Sequence, residues 1–420
     1  MTSSKLHFST VATPPFRVVF SQSGTAHFGT YLLMIALGGC IAFSAGAAHA
    51  NDGYLNEAPE YQPAAEATEI ISAYDLDLLG TEITVDTTRR YASILFYDRF
   101  GVDLTDTPMA WTGDQGSCDA GTTSQQFRDN IFLRINFYRA YAGVPAIVEE
   151  VDSYTAQAQE AALMMSRNNA LDHYPPDTWY CYTADGYEAA GRSDLYLGVS
   201  GINAINGYIR DPGANNLQVG HRNWILDVNR LGMGSGDVPS NDGYRTANAL
   251  WVVGTTSGRS DTRDGFVAWP PAGYIPYQII YPRWSFKFPG GDLSQATVSM
   301  TKNGQPLSIL MENVPTGSWY PLVWIPTGLG IGATSYYYTW PRPDAEEVYQ
   351  VTVANILVGG VARDITYTVT VFVPEFTLED VISSLNVLAG GDAESSFMDV
   401  NGDNIFGVAE IVYMLKSIAR

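Results

Sequence analysis

The sequence predicts an α+β fold in which helices come first and strands follow. Apolar residues with helical spacing fill residues 124–168, short alternating strands separated by glycine turns begin near Asp264, and an acidic loop with a following helix ends the chain. This order is typical of helices packed on an antiparallel sheet rather than of regularly alternating units. A hydrophobic content of 46% with 12% aromatic residues excludes wholesale disorder.

Residues 1–50 have the features of an export signal. They contain two basic residues and no acid, an apolar stretch over residues 31–47, and the small-residue ending Ala48-His49-Ala50. A membrane anchor is the alternative, but Gly38 and Gly39 interrupt the apolar stretch. Cys40 lies in a lipoprotein-like segment, although the apolar stretch continues beyond it. We therefore expect a secreted or surface-held protein with no membrane span in its mature chain.

The charge of the chain narrows the classes of partner. The formal net charge is -21, and loss of the two basic residues of the signal makes it more negative. Nucleic acids and anionic membrane surfaces are poor partners for such a field, whereas divalent cations and cationic surfaces are better ones. The sequence does not name the ligand or the cell-surface partner.

Two cysteines remain after the predicted cleavage, Cys118 and Cys181. An even number in an exported chain predicts a disulfide. Because Cys181 follows His173 closely, such a bridge would fix the segment that carries this histidine.

The first elements are helices. Residues 51–110 form an N-terminal extension of unknown role, with a predicted helix over residues 88–97. A second helix is predicted from Ser124 to the stop at Ala142-Gly143, and a third over residues 153–168. The alanines of the third helix predict its close packing on a sheet or on another helix. A glycine run follows at residues 232–236, but it lacks the spacing of a phosphate-binding loop.

Residues 263–374 are expected to form a small antiparallel β-sandwich. Asn303-Gly304 and Gly359-Gly360 each separate two alternating apolar runs, which predicts two hairpins. The many aromatic residues of this part fit a core, and a carbohydrate-binding face is the alternative.

The C-terminal segment, residues 375–420, contains a predicted calcium loop. Calcium prefers six to eight oxygen ligands, and a glutamate at position 12 of a loop can supply two of them. The sequence places such ligands at Asp399, Asn401, Asp403, the Ile405 carbonyl and Glu410. The segment resembles a dockerin type I or EF-hand module with one calcium loop retained and one lost. The resemblance implies bound Ca²⁺ and, as an alternative, a cohesin-like partner.

His173 and His221 are the only histidines after the predicted signal. Imidazole suits proton transfer near neutral pH and the binding of late transition metals. The alternative is that both rings are hydrogen-bonded structural residues.

The segments around both histidines resemble the CAP superfamily of SCP-like extracellular proteins, in its bacterial branch. The resemblance rests on Arg134-Ile135-Asn136-Phe137-Tyr138-Arg139, on the helix that ends before His173, and on Gly220-His221-Arg222-Asn223-Trp224 followed by Leu231-Gly232-Met233-Gly234. It implies an α-β-α sandwich over residues 111–262, with a cleft that holds two histidines and usually two acidic residues.

The acidic residues of this sequence match the CAP pattern less well than the two histidines do. Glu188 is the only glutamate between the histidines, and Asp194 or Asp211 could stand in for it. His173, His221 and Glu188 are therefore the candidate site residues. The incomplete set favours a non-catalytic binding protein. A hydrolase with Zn²⁺ on the two histidines and a carboxylate is one alternative. Dockerin-mediated attachment to an extracellular assembly is another.

Overall fold

The computed structural model describes residues 82–101, 106–241, 243–254, 256–259, 261–315, 317–329, 340–390, 400 and 406–419. Asp52–Arg420 form one compact unit. The predicted export signal lies outside the described residues, and so do Asp399, Asn401, Asp403 and Ile405. In the described part of the chain no helix is long and apolar enough to cross a membrane.

A four-stranded sheet with helices on both faces forms the first half of the unit. The strand order is β1-β3-β4-β2, with β1 parallel to β3 and the other pairs antiparallel. The strands are β1 (Glu149–Glu150), β2 (Ser193–Leu197), β3 (Gly232–Val238) and β4 (Ala247–Trp251). The helices are α1 (Arg90–Phe100), α2 (Gln125–Ala142), α3 (Asp152–Asn168), α4 (Ala184–Arg192), α5 (Gly201–Arg210) and α6 (Gly220–Ile225).

The two faces of this sheet contribute to different hydrophobic clusters. Alanines of α3 and α4 pack on one face, against Ala247, Ala249 and Trp251 of β4. Apolar residues of α2 and α5 pack with Leu250 of β4 and Met233 of β3 in the other cluster. The alternation of Ala249, Leu250 and Trp251 between the clusters follows the two-residue period of a strand.

The glycine run of β3 allows α3 to approach the sheet closely. A Cβ atom added at Gly236 would overlap the backbone of Ala158, and one added at Gly234 would overlap the backbone at Tyr154 and Thr155. Glycine is thus needed at positions 234 and 236, since a side chain at either would push α3 away. The alanines of α3 serve the same contact, as their pattern predicted.

The second half contains two more sheets. One has the order β10-β11-β7-β5 and is antiparallel, and the other has the order β6-β13-β12-β8-β9. The strands are β5 (Val267–Trp269), β6 (Gly273–Pro276), β7 (Trp284–Lys287), β8 (Thr297–Lys302), β9 (Gln305–Leu307), β10 (Ile309–Met311), β11 (Leu322–Pro326), β12 (Glu347–Val358) and β13 (Val361–Phe372). Trp284, Trp324 and Trp340 are buried between them, which supports the interpretation of these aromatic residues as core.

The expectation of purely antiparallel pairing is wrong for β6 and β13, which are parallel. The chain passes through the other sheet between these two strands, and such a long crossover connection permits parallel pairing. Both predicted hairpins are present, as β8–β9 and β12–β13. The run after Asn303-Gly304 is split, because Leu307 belongs to β9 while Ile309 begins β10 in the other sheet.

The hydrophobic core is continuous from the first half to the second. Tyr138 of α2 contacts Trp269 of β5 at 5.4 Å between ring centroids, and its hydroxyl lies 3.0 Å from that of Tyr281. The same core cluster contains residues of α1, α2, α5 and the strands on both sides of residue 263. The predicted boundary at 262/263 therefore crosses a shared core.

Helix α1 joins the predicted N-terminal extension to the C-terminal helices α7 (Leu378–Leu388) and α8 (Val408–Ile418). Ile94 of α1 packs with Val381, Ile411 and Met414. The Tyr91 hydroxyl donates to Asp380 at 2.9 Å. The N-terminal extension thus has a structural role that its sequence did not reveal.

We predict that Gly236→Ala lowers the free energy of unfolding by about 3 kcal/mol or more, because backbone rather than a movable side chain blocks the added methyl group. The matched control is Gly191→Ala, where the nearest atom to the added Cβ is 3.4 Å away. Urea denaturation measures both. Equal stability of the two variants would contradict the close approach of α3 and β3.

Candidate functional site

His173 and His221 line one cavity of about 460 Å³ in the first half of the molecule. The segment after α3 forms one wall, and β2 with the last turn of α5 forms another. The predicted convergence of the two histidines is thus what the structure shows, although 47 residues separate them. The His173 ring contacts the Ala190 carbonyl of α4, directly before β2, and the His221 ring lies 5.4 Å from the Tyr208 ring of α5 between centroids.

His173 lies in the exposed segment that follows α3. The helix ends at Asn169, whose φ of 49° is in the left-handed region that asparagine tolerates. The Nδ1 atom of His173 lies 2.8 Å from the Ala190 carbonyl oxygen, so Nδ1 is the protonated nitrogen. In a neutral ring Nε2 then carries the lone pair. The predicted disulfide between Cys118 and Cys181 is confirmed, and it ties the end of this segment to the loop before α2.

The His221 ring is held by Asp211. The Oδ1 atom of Asp211 accepts from His221 Nδ1 at 2.7 Å, and Oδ2 accepts from the backbone N–H groups of His221 and Arg222 at 3.0 and 3.4 Å. Asp211 is fully buried, whereas the His221 side chain is 25% exposed. The carboxylate thus orients the ring and caps the N-terminus of α6, where a negative charge is stabilised.

Two residues in unusual backbone conformations flank this arrangement. Asp211 follows α5 with φ 50°, and Val219 precedes α6 with φ 45°. The left-handed region is rare for a β-branched residue such as valine and marks local strain. The connection between α5 and α6 is therefore held in a conformation that its neighbours must enforce.

The charge of Asp211 sets the protonation state of His221. Burial alone would lower the pKa of the ring. The charge and hydrogen bond of Asp211, with a smaller effect of Asp194, outweigh burial and raise the pKa of His221 to about 9. At neutral pH the ring is thus an imidazolium, and among the described residues no hydrogen bond joins its Nε2 atom. That nitrogen is then a charged donor in the cavity wall.

Asp194 lies below the cavity on β2. Burial raises the pKa of Asp194 well above its ordinary value, the charge of His221 opposes this rise, and Asp211 adds to it. Its Oδ2 atom is buried without a hydrogen-bond partner. The carboxyl group of Asp194 thus lacks a hydrogen bond at Oδ2, whereas Asp211 contacts the His221 ring directly.

Arg245 brings a second cation to the cavity. Its side chain is exposed in the lining, and no acceptor among the described residues contacts its guanidinium group. Its backbone is fixed, because the Arg245 N–H donates to Asn169 Oδ1 at 2.9 Å and its carbonyl accepts from Ser166 Oγ at 2.6 Å. Arg245 thus lies in the connection between β3 and β4, and its backbone is anchored to residues at the end of α3.

The structure does not place Glu188 in the cavity. Glu188 lies on the exposed side of α4 and forms an ion pair with Arg192 at 3.1 Å. Its position four residues before Arg192 on one helix explains this pairing. Asp211, the alternative that the sequence offered, takes the place beside His221. The assignment of Glu188 as a site residue is therefore corrected.

The described residues do not form the zinc site that the two histidines suggested. No group of three His, Cys, Asp or Glu side chains among them could hold a metal ion. Catalytic zinc needs three protein ligands, and here both oxygens of the carboxylate nearest to His221 are engaged by Nδ1 and two backbone amides. We derive no chemical step through zinc.

Comparison with protein families agrees with the fold. Residues 132–255 match the family model described as CAP, the cysteine-rich secretory protein family. This part of the chain is therefore similar to CAP domains. No curated protein matches the chain. The CAP match covers α3 and α4, most of α2, both histidines, Asp211 and Arg245, and it ends shortly after β4.

Glu410 is the one predicted calcium ligand within the described residues, and it lies at the start of α8. Its carboxylate is buried and accepts from the Gly407 N–H at 2.7 Å and from the Val400 N–H at 3.3 Å. No cationic side chain among the described residues pairs with it. A buried carboxylate without a counter-charge is costly.

We predict that the pH dependence of stability reports the Asp211–His221 pair. The folded pKa of His221, about 9, exceeds the ordinary value of 6.5, so its stabilisation is complete below pH 6.5 and is lost as the pH rises through 9. The contribution is at most about 3 kcal/mol.

Asp211→Asn should remove this loss of stability between pH 6.5 and pH 9. Without the carboxylate of Asp211, burial lowers the pKa of His221. Urea denaturation at pH 6.5 and pH 9 measures the effect. The control is Asp261→Asn, at an exposed ion pair with Arg259, which should keep the decline. An unchanged decline in Asp211→Asn would show that the pair does not set it.

Proposed function

We propose that this protein is an extracellular CAP-domain protein that binds a small ligand in the His173–His221 cavity without catalysis. The ligand carries an anionic group, a carboxylate or a phosphate. A single observation supports this proposal. His221 and Arg245 line one cavity, and the only buried acid in the described lining, Asp211, has both carboxylate oxygens occupied.

The charges of the lining favour an anion over a cation. His221 pairs with Asp211, whose Oδ2 also accepts from two backbone amides, while Arg245 has no counter-ion among the described residues. Asp172 is the other acid in the lining, and its Oδ1 accepts from the Tyr174 N–H at 2.8 Å on the exposed side. Charge-assisted hydrogen bonds to an acid group are about twice as strong as neutral ones.

The cavity favours binding over hydrolysis. Among the described residues no serine, threonine or cysteine side chain forms a hydrogen bond with either histidine ring, so no activated nucleophile is supported. A protonated His221 is also a poor general base. The hydrolase alternative requires a metal ligand set that these residues do not supply.

We predict that Arg245→Gln weakens binding of inorganic phosphate at least about tenfold, because one charged donor is lost. The protein is titrated with phosphate and, separately, with acetate, and the chemical shifts of the His221 ring are followed by NMR. Stronger binding of one probe identifies the class of acid group.

The matched control is Arg342→Gln. Arg342 is also exposed but pairs with Glu375 in the second half of the chain, so its loss should leave both affinities unchanged. Absence of binding of both probes to the wild-type protein, or equal affinities in wild type and Arg245→Gln, would rule out the proposed ligand class.

The C-terminal segment is proposed to bind Ca²⁺ through Asp399, Asn401, Asp403, the Ile405 carbonyl and Glu410. The buried carboxylate of Glu410, which has no cationic partner among the described residues, supports this proposal. Because α8 packs with α1 and α7, a bound cation would stabilise the contact of the C-terminal helices with the rest of the unit.

We predict that Ca²⁺ raises the melting temperature of the wild-type protein and that Glu410→Gln abolishes this rise. Calorimetry with Ca²⁺ and with EDTA measures it. Glu379→Gln is the control, since Glu379 lies in the first turn of α7 and is not a predicted ligand. A melting temperature that does not respond to Ca²⁺ in the wild-type protein would contradict the calcium loop.

Docking to a partner protein is a second candidate function, and one observation favours it. Helices α7 and α8 each present an exposed apolar row with the spacing i, i+4, i+7. The rows are Leu378, Ile382 and Leu385 on α7, and Val408, Val412 and Leu415 on α8. Exposed apolar patches of this kind are typical of interaction sites. The dockerin resemblance makes a cohesin-like protein the proposed partner.

A further inference from the structure

Arg283 connects the second half of the molecule to the backbone of the cavity. It lies directly before β7 and is buried, with a side chain 4% exposed. Its Nε atom donates to Glu312 Oε1 at 2.8 Å, and its Nη1 atom donates to the Asp211 carbonyl oxygen at 2.9 Å. Its guanidinium group thus bridges a carboxylate beyond the CAP match and the residue that orients His221.

Arg222 completes the support of the same turn from the other side. Its Nε atom donates to the Ile209 carbonyl at 2.6 Å, and its Nη1 atom donates to the Arg283 carbonyl at 2.8 Å. Burial lowers the pKa of Arg222 to about 10, with the charge of Asp211 opposing this fall. Two buried guanidinium groups thus support this turn, Arg222 at the last carbonyl groups of α5 and Arg283 at the carbonyl of Asp211 directly after the helix.

The turn needs this support because its conformation is unfavourable. Asp211 has left-handed backbone angles, and a non-glycine residue keeps such angles only when its surroundings enforce them. All polar groups of Asp211 form hydrogen bonds. Its carboxylate contacts α6, its N–H donates to the Gly207 carbonyl at 2.8 Å, and its carbonyl accepts from Arg283.

We propose that Arg283, held by Glu312, is a positioning residue of the cavity. It fixes the Asp211 backbone so that the carboxylate stays on the His221 ring, and the sheet β10-β11-β7-β5 is thereby a necessary part of the ligand site. The effect on ligand affinity rests on the proposed function, whereas the effect on the His221 ring does not.

The two-armed geometry of arginine is essential to this role. A lysine at position 283 would keep the charge but has a single ammonium group, which cannot reproduce the planar fork that joins Glu312 and the Asp211 carbonyl. Comparison of Arg283→Lys with Arg283→Met therefore separates the geometry from the charge.

The direction of the change in the pKa of His221 separates positioning from simple electrostatics. Loss of a nearby cation alone would raise the pKa of His221, because an imidazolium is more stable without it. Loss of positioning would lower it, because the Asp211 carboxylate would no longer hold the ring. We expect the lower value, from about 9 to about 8 or less, in both variants.

The experiment is an NMR titration of the His221 ring in the full chain without added anion, followed by a phosphate titration at pH 7. Phosphate affinity should fall about tenfold in Arg283→Lys. Lys302→Met is the matched control. It removes another ion pair of the second half, Lys302–Glu347 at 2.7 Å, which does not contact the cavity, and it should leave the pKa of His221 unchanged.

Each outcome decides the proposal. If Arg283→Met does not fold, Arg283→Lys carries the test, because it retains the buried charge. A pKa of His221 that stays at the wild-type value, or rises, in a folded Arg283 variant overturns the positioning role. If the pKa falls but phosphate does not bind even to the wild-type protein, positioning stands and the proposed ligand class fails.

Discussion

The carboxylate of Asp211 is the constraint on which the cavity depends. It is fully buried and satisfies the His221 ring and two backbone amides of α6 at once. A buried carboxylate is costly unless it is paired and hydrogen-bonded. Here the pairing determines the orientation of His221, its charge at neutral pH, and the start of α6. Its backbone carbonyl, in turn, depends on a guanidinium group outside the CAP match.

This arrangement makes the two halves of the chain parts of one site. The segment that matches the CAP family supplies both imidazoles and Arg245, while the second half supplies Arg283 and a continuous core behind α2 and α5. Because the Asp211 carboxylate is engaged within the protein and no described acid pairs with Arg245, the cavity can offer charged donors to a ligand. This distinguishes it from a catalytic zinc site, in which carboxylates and neutral imidazoles must face the metal.

Much of the fold could be predicted from the sequence because local signals were strong. The helix that stops at Gly143 ends as predicted, with Gly143 in the left-handed conformation of a helix C-cap. Both hairpins followed from their turn residues. The short helices α4, α5 and α6 were missed, because tertiary contacts rather than periodicity stabilise segments of this length. The glycine run of β3 could not be assigned without knowledge of the facing helix.

The site was predictable only in part. The resemblance and the scarcity of histidine identified His173 and His221, but spacing alone could not choose among Glu188, Asp194 and Asp211. Arg245 carries no sequence signal, since it is an exposed arginine in a turn. The most direct test is the ¹⁵N NMR spectrum of the histidine rings at pH 7.5 without ligand. Our account predicts that both ring nitrogens of His221 are protonated; a neutral His221 ring would contradict it.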